Sequence, residues 1–580
     1  MQPLAERCRE LKSFDVFDDA SLTLLLERSR WFSLPGGSQL FQQGDSPDGV
    51  YFVMSGRLIV VRRDSFGEEV VGYVRAGDPV GEMSLLAGEP RSASAYALRD
   101  TELAAVDPAD AEWLLENCAD FSHALANSIV ARARHPASSF VRARPRVFAI
   151  IGSSPSIDIE QRARALARLI ERYGKKTALI EAPDRLADGE FEDIESAHDV
   201  TLLTARVGDS VEYRFALRHA DRFLVFARQD ARPPRPFPLT LTEDSPARKF
   251  RLVDIAMLHE GAKSGSVADW VDAVDAHRVF QVTGPRSAER LARALAGCSV
   301  GVVMSGGGAR AYAHIGAVKA LRERGVPIDF LGGASMGAVI AACVAMGWSD
   351  EEIEARVRDA FVSSNPLGDH VMPVVALTRG QRVDERLQRH FGDALIEDLE
   401  VPFFCTSSEM TRGVTRIHRR GLLREALRAS ISLPGILPPV VANGELLVDG
   451  AVMNNFPTDL MNSLHRGVTI GIDVAREGTI APEAFADPPS FLSWVWRHGF
   501  RSAPPIVSLL MRAATSRQES RPKESPADIL VAPPVAGVQL RDWRAYDLAV
   551  IDGYAATLGA LDRNWAKVSA IVEASRADQG

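Results

Sequence analysis

The chain has 580 residues, of which 46% are hydrophobic and 25% are charged, and its formal net charge is −9 at pH 7. A chain of this length is too long to fold around a single hydrophobic core, so about two to four domains are expected. The balance of hydrophobic and charged residues is typical of a globular protein. The negative charge argues against a general nucleic-acid-binding protein, because such proteins neutralise phosphates with surplus Lys and Arg. We therefore expect no nucleic-acid partner.

The cysteines and the apolar segments indicate the compartment. The 5 cysteines lie far apart and form no CxxC pair, which favours a reduced, cytoplasmic protein. The first residues, MQPLAERCRE, lack the apolar core of a signal peptide. No run of about 18 uncharged apolar residues occurs, so any membrane contact is expected to be peripheral. No strong metal-ligand cluster is present, and we expect no metal site.

Short apolar runs separated by glycine turns occupy about residues 38–106, as in GVYFVMSGRLIVVRR. Their period of two predicts half-buried strands. Within this region, VGEMSLLAGEPRSASAYA places Glu82 and Arg91 around a short apolar turn that begins at Gly81. Such a turn can hold a cyclic nucleotide, with Glu82 on the ribose, Arg91 on the phosphate and backbone N–H groups as further donors. An exposed acid and arginine on a hairpin is the alternative interpretation.

Residues 14 to about 125 resemble the cyclic-nucleotide-binding domains of kinase regulatory subunits and of catabolite-activator-type transcription factors. The resemblance rests on a GD turn, an SG turn and the cassette GExxLL…PRSA. It implies that Glu82, Arg91 and Ser92, beside the turn at Gly81, contact the ligand, and that cAMP or cGMP is a candidate allosteric ligand. No helix-turn-helix pattern follows, which argues against a transcription factor.

An Arg-rich stretch, ARARHPASSFVRARPR, predicts a linker after this region. From Val147 onward, the apolar runs VFAIIG, TALIE, RFLVFAR, VDIAMLH and RVFQVTG alternate with helical segments such as EQRARALARLIERYG. This alternation predicts a parallel-sheet α/β domain. Its segment IIGSSPS begins like a nucleotide-binding unit but lacks the lysine of a phosphate loop, so we assign the domain a structural or relay role.

A third region, also of alternating strands and helices, begins at CSVGVVMSGGGAR and contains GGASMG, in which two glycines flank Ser335 at a predicted strand-to-helix junction. This context is typical of a nucleophile elbow, where small flanking residues allow a sharp turn that presents the serine hydroxyl. Upstream, the unobstructed N–H groups of Gly306, Gly307 and Gly308 can form an oxyanion hole before a helix. A plain strand-to-helix turn is the alternative interpretation of both motifs.

Two kinds of residue are candidates for the base that activates Ser335. A triad would need a histidine. The downstream histidines are His370, His390, His418, His465 and His498, and none lies in a loop with a supporting signature. The stronger candidate is Asp449, where the predicted strand ELLVDG ends in a glycine-containing loop. An isolated DG is also typical of a plain turn.

From about residue 298 onward, the chain resembles the patatin-like phospholipases through GGGAR, GASMG and DGA, in that order. That family uses a Ser–Asp dyad without histidine. The resemblance therefore implies Ser335 as the nucleophile, Asp449 as the base and the backbone of the three glycines as the oxyanion hole. The sequence departs from the family at Ala311, where the motif GGGARG has glycine.

The resemblance extends to the bacterial members of the neuropathy target esterase (NTE) family. It is carried by TRGQRVDERLQRHFGDALIEDLEVPFFCTSSEMTRG, HRRG and LRASISLPGILPPV. This family joins cyclic-nucleotide-binding domains to a patatin domain through an intermediate α/β segment. The resemblance implies lysophospholipids or related carboxylic esters as substrates.

We therefore expect a multidomain chain with three parts. These are an N-terminal β-roll of the cyclic-nucleotide-binding type in residues 1–135, an intermediate α/β domain in residues 146–290, and an α/β patatin-like hydrolase domain in residues 298–575. The expected function is that of a serine esterase that hydrolyses lipid carboxylic esters without a required cofactor. The alternatives are a non-catalytic signalling scaffold that binds cyclic nucleotide and lipid, and an esterase with a vestigial sensor.

Two segments are candidates for peripheral membrane contact. The aromatic stretch SFLSWVWRHGF, residues 490–500, suits a lipid interface or an acyl pocket, with ordinary core packing as the alternative. The basic run TRIHRRGLLREALR, residues 415–428, can attract phosphate head groups. A solvated helix face is the favoured interpretation of that run.

Overall fold

The computed structural model divides the chain into two compact units. The first comprises Met1–Glu171, Lys175–Ala256 and Asp272–His277, and the second comprises Arg172–Gly174, Met257–Val271 and Arg278–Gly580. The structure describes residues 8–9, 11, 14–64, 67–134, 145–186, 190–208, 210–235, 237–238, 252–259, 266–363, 365–372, 374–475, 527–535, 537–538 and 542–576.

The N-terminal part of the first unit contains two four-stranded antiparallel sheets, with the strand orders β1-β8-β3-β6 and β2-β7-β4-β5. The strands are β1 (Arg30–Leu34), β2 (Gln39–Phe41), β3 (Val50–Ser55), β4 (Arg57–Asp64), β5 (Gly67–Arg75), β6 (Pro79–Val80), β7 (Ser94–Ala97) and β8 (Thr101–Val106). The helices are α1 (Asp19–Glu27), α2 (Glu82–Ala87), α3 (Pro108–Asn117) and α4 (Ala119–Arg134). The predicted β-roll is confirmed.

Local sequence determines where the flanking helices of this β-roll begin. The Asp18 carboxylate accepts a hydrogen bond from the Ser21 N–H at 2.7 Å and caps α1. Asp107 caps α3 in the same way, and Pro108 occupies its first turn, where no N–H is needed. The helices pack against β3 through Phe14, Phe52 and Phe121, which are all buried.

The next segment alternates strands and helices, as predicted. The elements are β9 (Val147–Gly152), α5 (Ile159–Arg172), β10 (Thr177–Ile180), α6 (Glu190–Ala197), β11 (Val200–Arg206), α7 (Val211–His219), β12 (Arg222–Arg228), β13 (Leu252–Leu258), α8 (Val267–Val274) and β14 (Arg278–Val282). Strands β10, β11, β9 and β12 lie side by side in that order and are parallel. The sequence analysis did not identify β11, the strand between β10 and β9.

A buried ionic cluster joins the β-roll to this parallel sheet within the first unit. The Asp221 carboxylate lies 3.2 Å from Arg57 and 3.5 Å from Arg99, and all three side chains are almost fully buried. Arg99 also pairs with Glu195 at 2.8 Å. Removal of one partner would leave an uncompensated buried charge, so the cluster favours one arrangement of the two parts.

The second unit is built around a sheet with the order β19-β20-β17-β16-β15-β21-β22, to which β18 adds beside β17. Its strands are β15 (Ser299–Met304), β16 (Phe330–Ala334), β17 (Phe403–Glu409), β18 (Val414–His418), β19 (Val440–Ala442), β20 (Glu445–Asp449), β21 (Gly467–Ile472) and β22 (Ile529–Val531). Strands β17, β16, β15, β21 and β22 are parallel, whereas β18 and β20 run antiparallel to β17. The predicted α/β class is confirmed.

The described helices of this second unit follow the strands in chain order. They are α9 (Pro285–Ala296), α10 (Ala313–Glu323), α11 (Ser335–Ala345), α12 (Asp350–Val357), α13 (Gln381–Phe391), α14 (Leu423–Ser430), α15 (Thr458–Leu464), α16 (Tyr546–Asn564) and α17 (Ser569–Arg576). Every residue of α11 after Ser335 is buried, so this helix lies in the core. Ser349 and Glu352 form a capping box at the start of α12, with both reciprocal hydrogen bonds present. None of the helices in the described ranges is long and apolar enough to cross a bilayer.

Candidate active site

Ser335 occupies the sharp turn between β16 and α11. Its φ is +51°, in the left-handed region that a side chain rarely adopts. The Ser335 N–H donates a hydrogen bond to Ser430 Oγ at 3.0 Å, which holds this conformation. A Cβ at Gly337 would lie 2.4 Å from the Ser305 carbonyl oxygen, so only glycine allows the first turn of α11 to approach β15.

Asp449, the last residue of β20, meets Ser335 directly. The Ser335 hydroxyl donates to Asp449 Oδ2 at 2.7 Å, and the Ala451 N–H donates to Oδ1 at 2.8 Å. The carboxyl is fully buried, and burial raises its pKa to about 7, against the opposing effect of these two hydrogen bonds. The site therefore pairs a hydroxyl with a carboxylate whose proton affinity suits exchange near neutral pH.

The end of α14 and the residues just after it contact both Ser335 and Asp449. Ser430 accepts the Ser335 N–H through its side chain, and the Ser432 carbonyl accepts the Asp449 N–H at 2.9 Å. The Ser408 hydroxyl, on β17, adds a donor to the Asp449 carbonyl at 2.9 Å. These bonds fix the backbone of both residues before any substrate arrives.

The glycine loop after β15 passes beside Ser335. The Gly306 N–H already donates to the Asn455 side chain at 3.1 Å and to the Asn455 carbonyl at 3.3 Å. A Cβ at Gly306 would lie 2.9 Å from the Ser335 Cβ, which explains the glycine. None of the hydrogen bonds found in the described part of the chain uses the N–H of Gly307 or Gly308. These two groups are therefore the donors of the loop that remain for an oxyanion.

The histidines considered as alternative bases lie elsewhere. His418 contacts Ser407 Oγ at 2.8 Å, and burial lowers the pKa of its ring to about 4. His465 lies between Ser299 and Thr469. Within the described ranges, no histidine forms a hydrogen bond with Ser335 or Asp449, and His498 lies outside those ranges.

The predicted nucleotide-binding residues lie around α2 of the β-roll. Gly81 precedes the helix with φ +87°, and its carbonyl accepts from Arg91 Nη1 at 2.8 Å. Arg91 Nη2 donates to Asp48 at 2.5 Å and to the Gly49 carbonyl at 2.8 Å. Arg91 is thus buried among oxygen acceptors, with which a bound phosphate would compete for the guanidinium.

Glu82 and Ser92 differ in their exposure. Glu82, the first residue of α2, is fully buried, whereas Ser92 is exposed to solvent. A Cβ at Gly81 would lie 2.3 Å from Arg91 Nη1. Glycine at position 81 is therefore required by the guanidinium of Arg91 as well as by the backbone.

Four residues of these sites were missed by the sequence analysis. Ser430 and Ser432 lie in LRASISLPGILPPV, Asn455 follows the DGA motif, and Asp48 precedes β3. The motifs marked the neighbourhood of Ser430, Ser432 and Asn455. Their hydrogen bonds depend on contacts between distant parts of the chain, and no local pattern encodes such contacts.

The structure bears on only one of the two segments proposed for membrane contact. SFLSWVWRHGF lies outside the described residues. The interpretation of the basic run as one helix face is wrong, because Arg416 lies on β18 and α14 begins only at Leu423. Arg416 pairs with Glu445, Arg424 pairs with Asp393, and Arg428 pairs with Asp384. These carboxylates compensate much of the charge of the run.

Among the described residues, no group of three or more His, Cys, Asp or Glu is arranged to bind a metal ion.

Residues 302–461 match the family model of patatin-like phospholipases, and residues 31–118 match the model of cyclic nucleotide-binding domains. An uncharacterized NTE family protein of Mycobacterium tuberculosis (strain ATCC 25618 / H37Rv) is 31% identical to this chain, and the match covers 94% of each chain. Human patatin-like phospholipase domain-containing protein 6 is 26% identical over 80% of this chain, which spans 39% of that protein.

Among solved structures, the Thermus thermophilus catabolite activator protein is 27% identical over 28% of this chain and 66% of its own, with a TM-score of 0.20. The two family models cover separate stretches that lie in the second and the first unit, respectively.

Proposed function

This chain belongs to the NTE family and is a lipid hydrolase with a patatin-like phospholipase domain; on that premise, we propose that Ser335 and Asp449 form its catalytic dyad. The reaction is the hydrolysis of carboxylic esters of the phospholipid or lysophospholipid type. The observation that carries the proposal is the 2.7 Å hydrogen bond from the Ser335 hydroxyl to Asp449 Oδ2. A nucleophile and its base must lie within this distance for proton transfer.

In the first step, Asp449 takes the hydroxyl proton while Ser335 Oγ attacks the ester carbonyl carbon. An ordinary aspartate has a pKa near 4, which makes it a weak base. Burial raises the pKa of Asp449 to about 7 and so strengthens it as a proton acceptor. The raised pKa therefore supports a dyad that works without histidine.

The carbonyl oxygen becomes an oxyanion in this step, and the Gly307 and Gly308 N–H groups are proposed to bind it. Gly308 has φ +57° and begins a short 3₁₀ turn at residues 308–312, which directs backbone N–H groups toward the loop. Fixed backbone donors stabilise charge that develops in a transition state at little reorganisation cost. Asn455 holds the Gly306 end of the loop in place.

Collapse of this intermediate breaks the ester C–O bond, and Asp449 returns its proton to the leaving alcohol. The acyl group stays on Ser335 Oγ as an ester. A water molecule then loses a proton to Asp449 and attacks the acyl carbon, which releases the fatty acid and restores the Ser335 hydroxyl. No cofactor is needed for these steps.

Labelling with a fluorophosphonate probe tests this proposal. We expect the purified wild type to be labelled, and the Ser335→Ala and Asp449→Ala variants not to be labelled. Ser363→Ala, a change at an exposed serine of the same unit, is the matched control and should label as the wild type does. A wild type that stays unlabelled would favour the alternative function, a scaffold that binds lipid without hydrolysing it.

We further propose that the β-roll binds cAMP or cGMP as an allosteric ligand in a cytoplasmic protein with peripheral lipid contact. The support is the buried Arg91 and Glu82 around α2, together with the Arg57–Asp221–Arg99 cluster that joins the β-roll to the parallel sheet. The cluster supports the relay role expected of the intermediate domain. Saturating cAMP and cGMP should change esterase rate or thermal stability, and a vestigial sensor would change neither.

A further inference from the structure

A narrow hairpin projects from the second unit just before α13. His370 and Thr378 face each other in an antiparallel bridge. The Val371 N–H donates to the Leu377 carbonyl at 3.0 Å, and the Arg379 N–H donates to the Asp369 carbonyl at 3.0 Å. We call residues 369–372 and 374–379 the apolar hairpin.

The tip of the apolar hairpin consists of apolar side chains that face solvent. Met372 is 79% exposed, Val374 is 88% exposed and Val375 is 65% exposed. Single exposed apolar residues are common on protein surfaces, but a cluster at one projecting tip marks an interaction site. The tip buries none of these side chains against the described part of its own unit.

The base of the hairpin is fastened to the segment that holds the dyad. The Thr378 N–H and hydroxyl both donate to the Ile436 carbonyl, at 3.1 and 2.7 Å. The Leu377 N–H donates to the Gly435 carbonyl at 3.0 Å. Gly435 follows Ser432, whose carbonyl holds Asp449, by three residues. The hairpin therefore stands beside the candidate active site.

The flank of the hairpin carries positive charge. Arg379 and Arg382 are exposed, and neither forms an ion pair with a residue that the structure describes. Arg382 Nη1 donates only to a backbone carbonyl, that of Asn365, at 3.4 Å. The half-buried Asp369 carboxylate accepts from the Arg382 backbone N–H at 3.4 Å. Solvent-exposed guanidinium groups next to an apolar tip match an anionic lipid surface.

We propose that the apolar hairpin docks the second unit onto a lipid surface, with Met372, Val374 and Val375 among the acyl chains and Arg379 and Arg382 at anionic head groups. This inference rests on the proposed function, because it supplies the surface from which a lipid ester reaches Ser335. The two exposed guanidinium groups beside the apolar tip match the combination of acyl chains and anionic head groups that a lipid surface offers.

Flotation of the full chain with vesicles tests the tip. Wild type, Val374→Glu and Ile551→Glu are mixed with vesicles of phosphatidylcholine that contain phosphatidylglycerol. Ile551 is the matched control, since it is an apolar residue of the same unit that is 63% exposed, on α16. We expect Val374→Glu to bind vesicles about tenfold or more weakly, because a charged side chain would have to enter the acyl chains in place of an apolar one. Ile551→Glu should bind as the wild type does. Equal binding of all three, or equal loss in both variants, would overturn the proposal.

The charged flank is tested separately. Arg379→Gln and Arg382→Gln should each weaken binding to the anionic vesicles about fivefold, and neither should weaken binding to vesicles of phosphatidylcholine alone. Added salt should reduce this difference. Concentration-dependent dimerisation of the wild type that Val374→Glu abolishes, without vesicle binding, would assign the tip to a second copy of the chain and overturn the lipid proposal. Thermal unfolding of each variant shows whether its fold is intact.

Failure of this inference and failure of the proposed function give different results. Hydrolysis of a water-soluble short-chain ester by the wild type depends on the dyad and needs no lipid surface. If the wild type cleaves that ester but all variants bind vesicles equally, the docking inference alone fails. If the wild type binds vesicles through Val374 but cleaves no ester, the proposed dyad fails and the docking surface stands.

Discussion

The Ser335 site and the Arg91 pocket each contain a buried ionisable group, and the neighbours of the two groups differ. Asp449 is held by a hydroxyl and a backbone N–H, and none of the ion pairs in the described ranges involves it. Arg91 is held by the Asp48 carboxylate and by two carbonyls. The carboxyl therefore keeps a raised pKa, while the guanidinium is already compensated.

This difference indicates how each site responds to its ligand. The proposed dyad needs no rearrangement, because a hydrogen bond already joins its two groups. In the pocket, Arg91 donates to Asp48 and to two carbonyls, whereas its Nε forms no hydrogen bond within the described residues. A phosphate at Arg91 would therefore compete with the Asp48 carboxylate for this guanidinium.

The largest effect on turnover is expected from variants that remove a group of the proposed dyad. Ser335→Ala and Asp449→Asn should each lower the turnover of a soluble ester at least about a thousandfold, because each removes a group that acts only as part of the pair. The double variant should be no slower than either single variant. Steady-state kinetics of the purified full-length proteins measure this, with Ser363→Ala as the control. Wild-type turnover in Asp449→Asn would contradict the role of Asp449 as base.

The next effect concerns stability and pH. The raised pKa of Asp449 means that the folded protein favours the protonated carboxyl, so this contribution is complete below about pH 4 and is lost as pH rises through about 7. Asp449→Asn cannot ionise and avoids that loss. Its free energy of unfolding should exceed that of the wild type by a few kcal/mol, or roughly a hundredfold in the unfolding equilibrium, at pH 8.

At pH 4.5 the difference between Asp449→Asn and wild type should be much smaller than at pH 8, because pH 4.5 is close to the ordinary aspartate pKa of about 4 and little of the loss has occurred. Denaturant unfolding at both pH values provides the measurement. A difference that is the same at pH 4.5 and pH 8 would mean that Asp449 is not held in a protonation-sensitive environment, and the raised pKa would be wrong.

A smaller effect is expected from variants of the Arg91 pocket. Arg91→Ala should weaken binding of cAMP or cGMP by tens of fold, roughly the value of a charge-assisted pair. Asp48→Asn should strengthen it about two- to threefold, because the competing carboxylate is 59% exposed and its pair with Arg91 is correspondingly weak. Titration calorimetry measures both, with the exposed Arg75→Ala as the control. Unchanged affinity in Arg91→Ala would exclude this pocket as the site.

The smallest effect tests the support of the nucleophile. Ser430→Ala removes the acceptor of the Ser335 N–H and should lower kcat about tenfold with little change in KM, because the left-handed turn loses its partner. Ser432→Ala is the comparison variant: it preserves the backbone carbonyl that holds Asp449 and removes a buried hydroxyl that binds Arg428 instead of Ser335. Equal losses in the two variants would assign the effect to packing.

Much of the fold could be predicted from the sequence because its signals are local. The apolar run VFAIIG coincides with β9, and ELLVDG ends as a strand at Asp449. Predictions failed where two local patterns overlapped. In the basic run, the periodicity of α14 masked β18, whose half-exposed residues pair with only one neighbouring strand.

In the candidate sites too, the local features could be predicted from the sequence and the long-range contacts could not. GGASMG and GGGAR indicated a nucleophile and an oxyanion loop because a sharp turn and a close backbone approach both require glycine at defined positions. The boundaries expected for the three domains remain predictions, as do the roles of the site residues. The nucleotide cassette was located correctly in the β-roll, but its pairing with Asp48 was not foreseen.

Local sequence accounts for most of the elements and for the glycines that allow tight turns, because these depend on neighbours within a few residues, although β11 and β18 were not identified in this way. That Asp449 meets Ser335, that Ser430 holds the turn and that Asn455 occupies the Gly306 N–H are properties of the tertiary structure. Those contacts join residues separated by about a hundred positions or more. Asp449 reaches Ser335 because β17 pairs in parallel with β16, at Thr406 and Ala334, and antiparallel with β20, at Ser407 and Asp449.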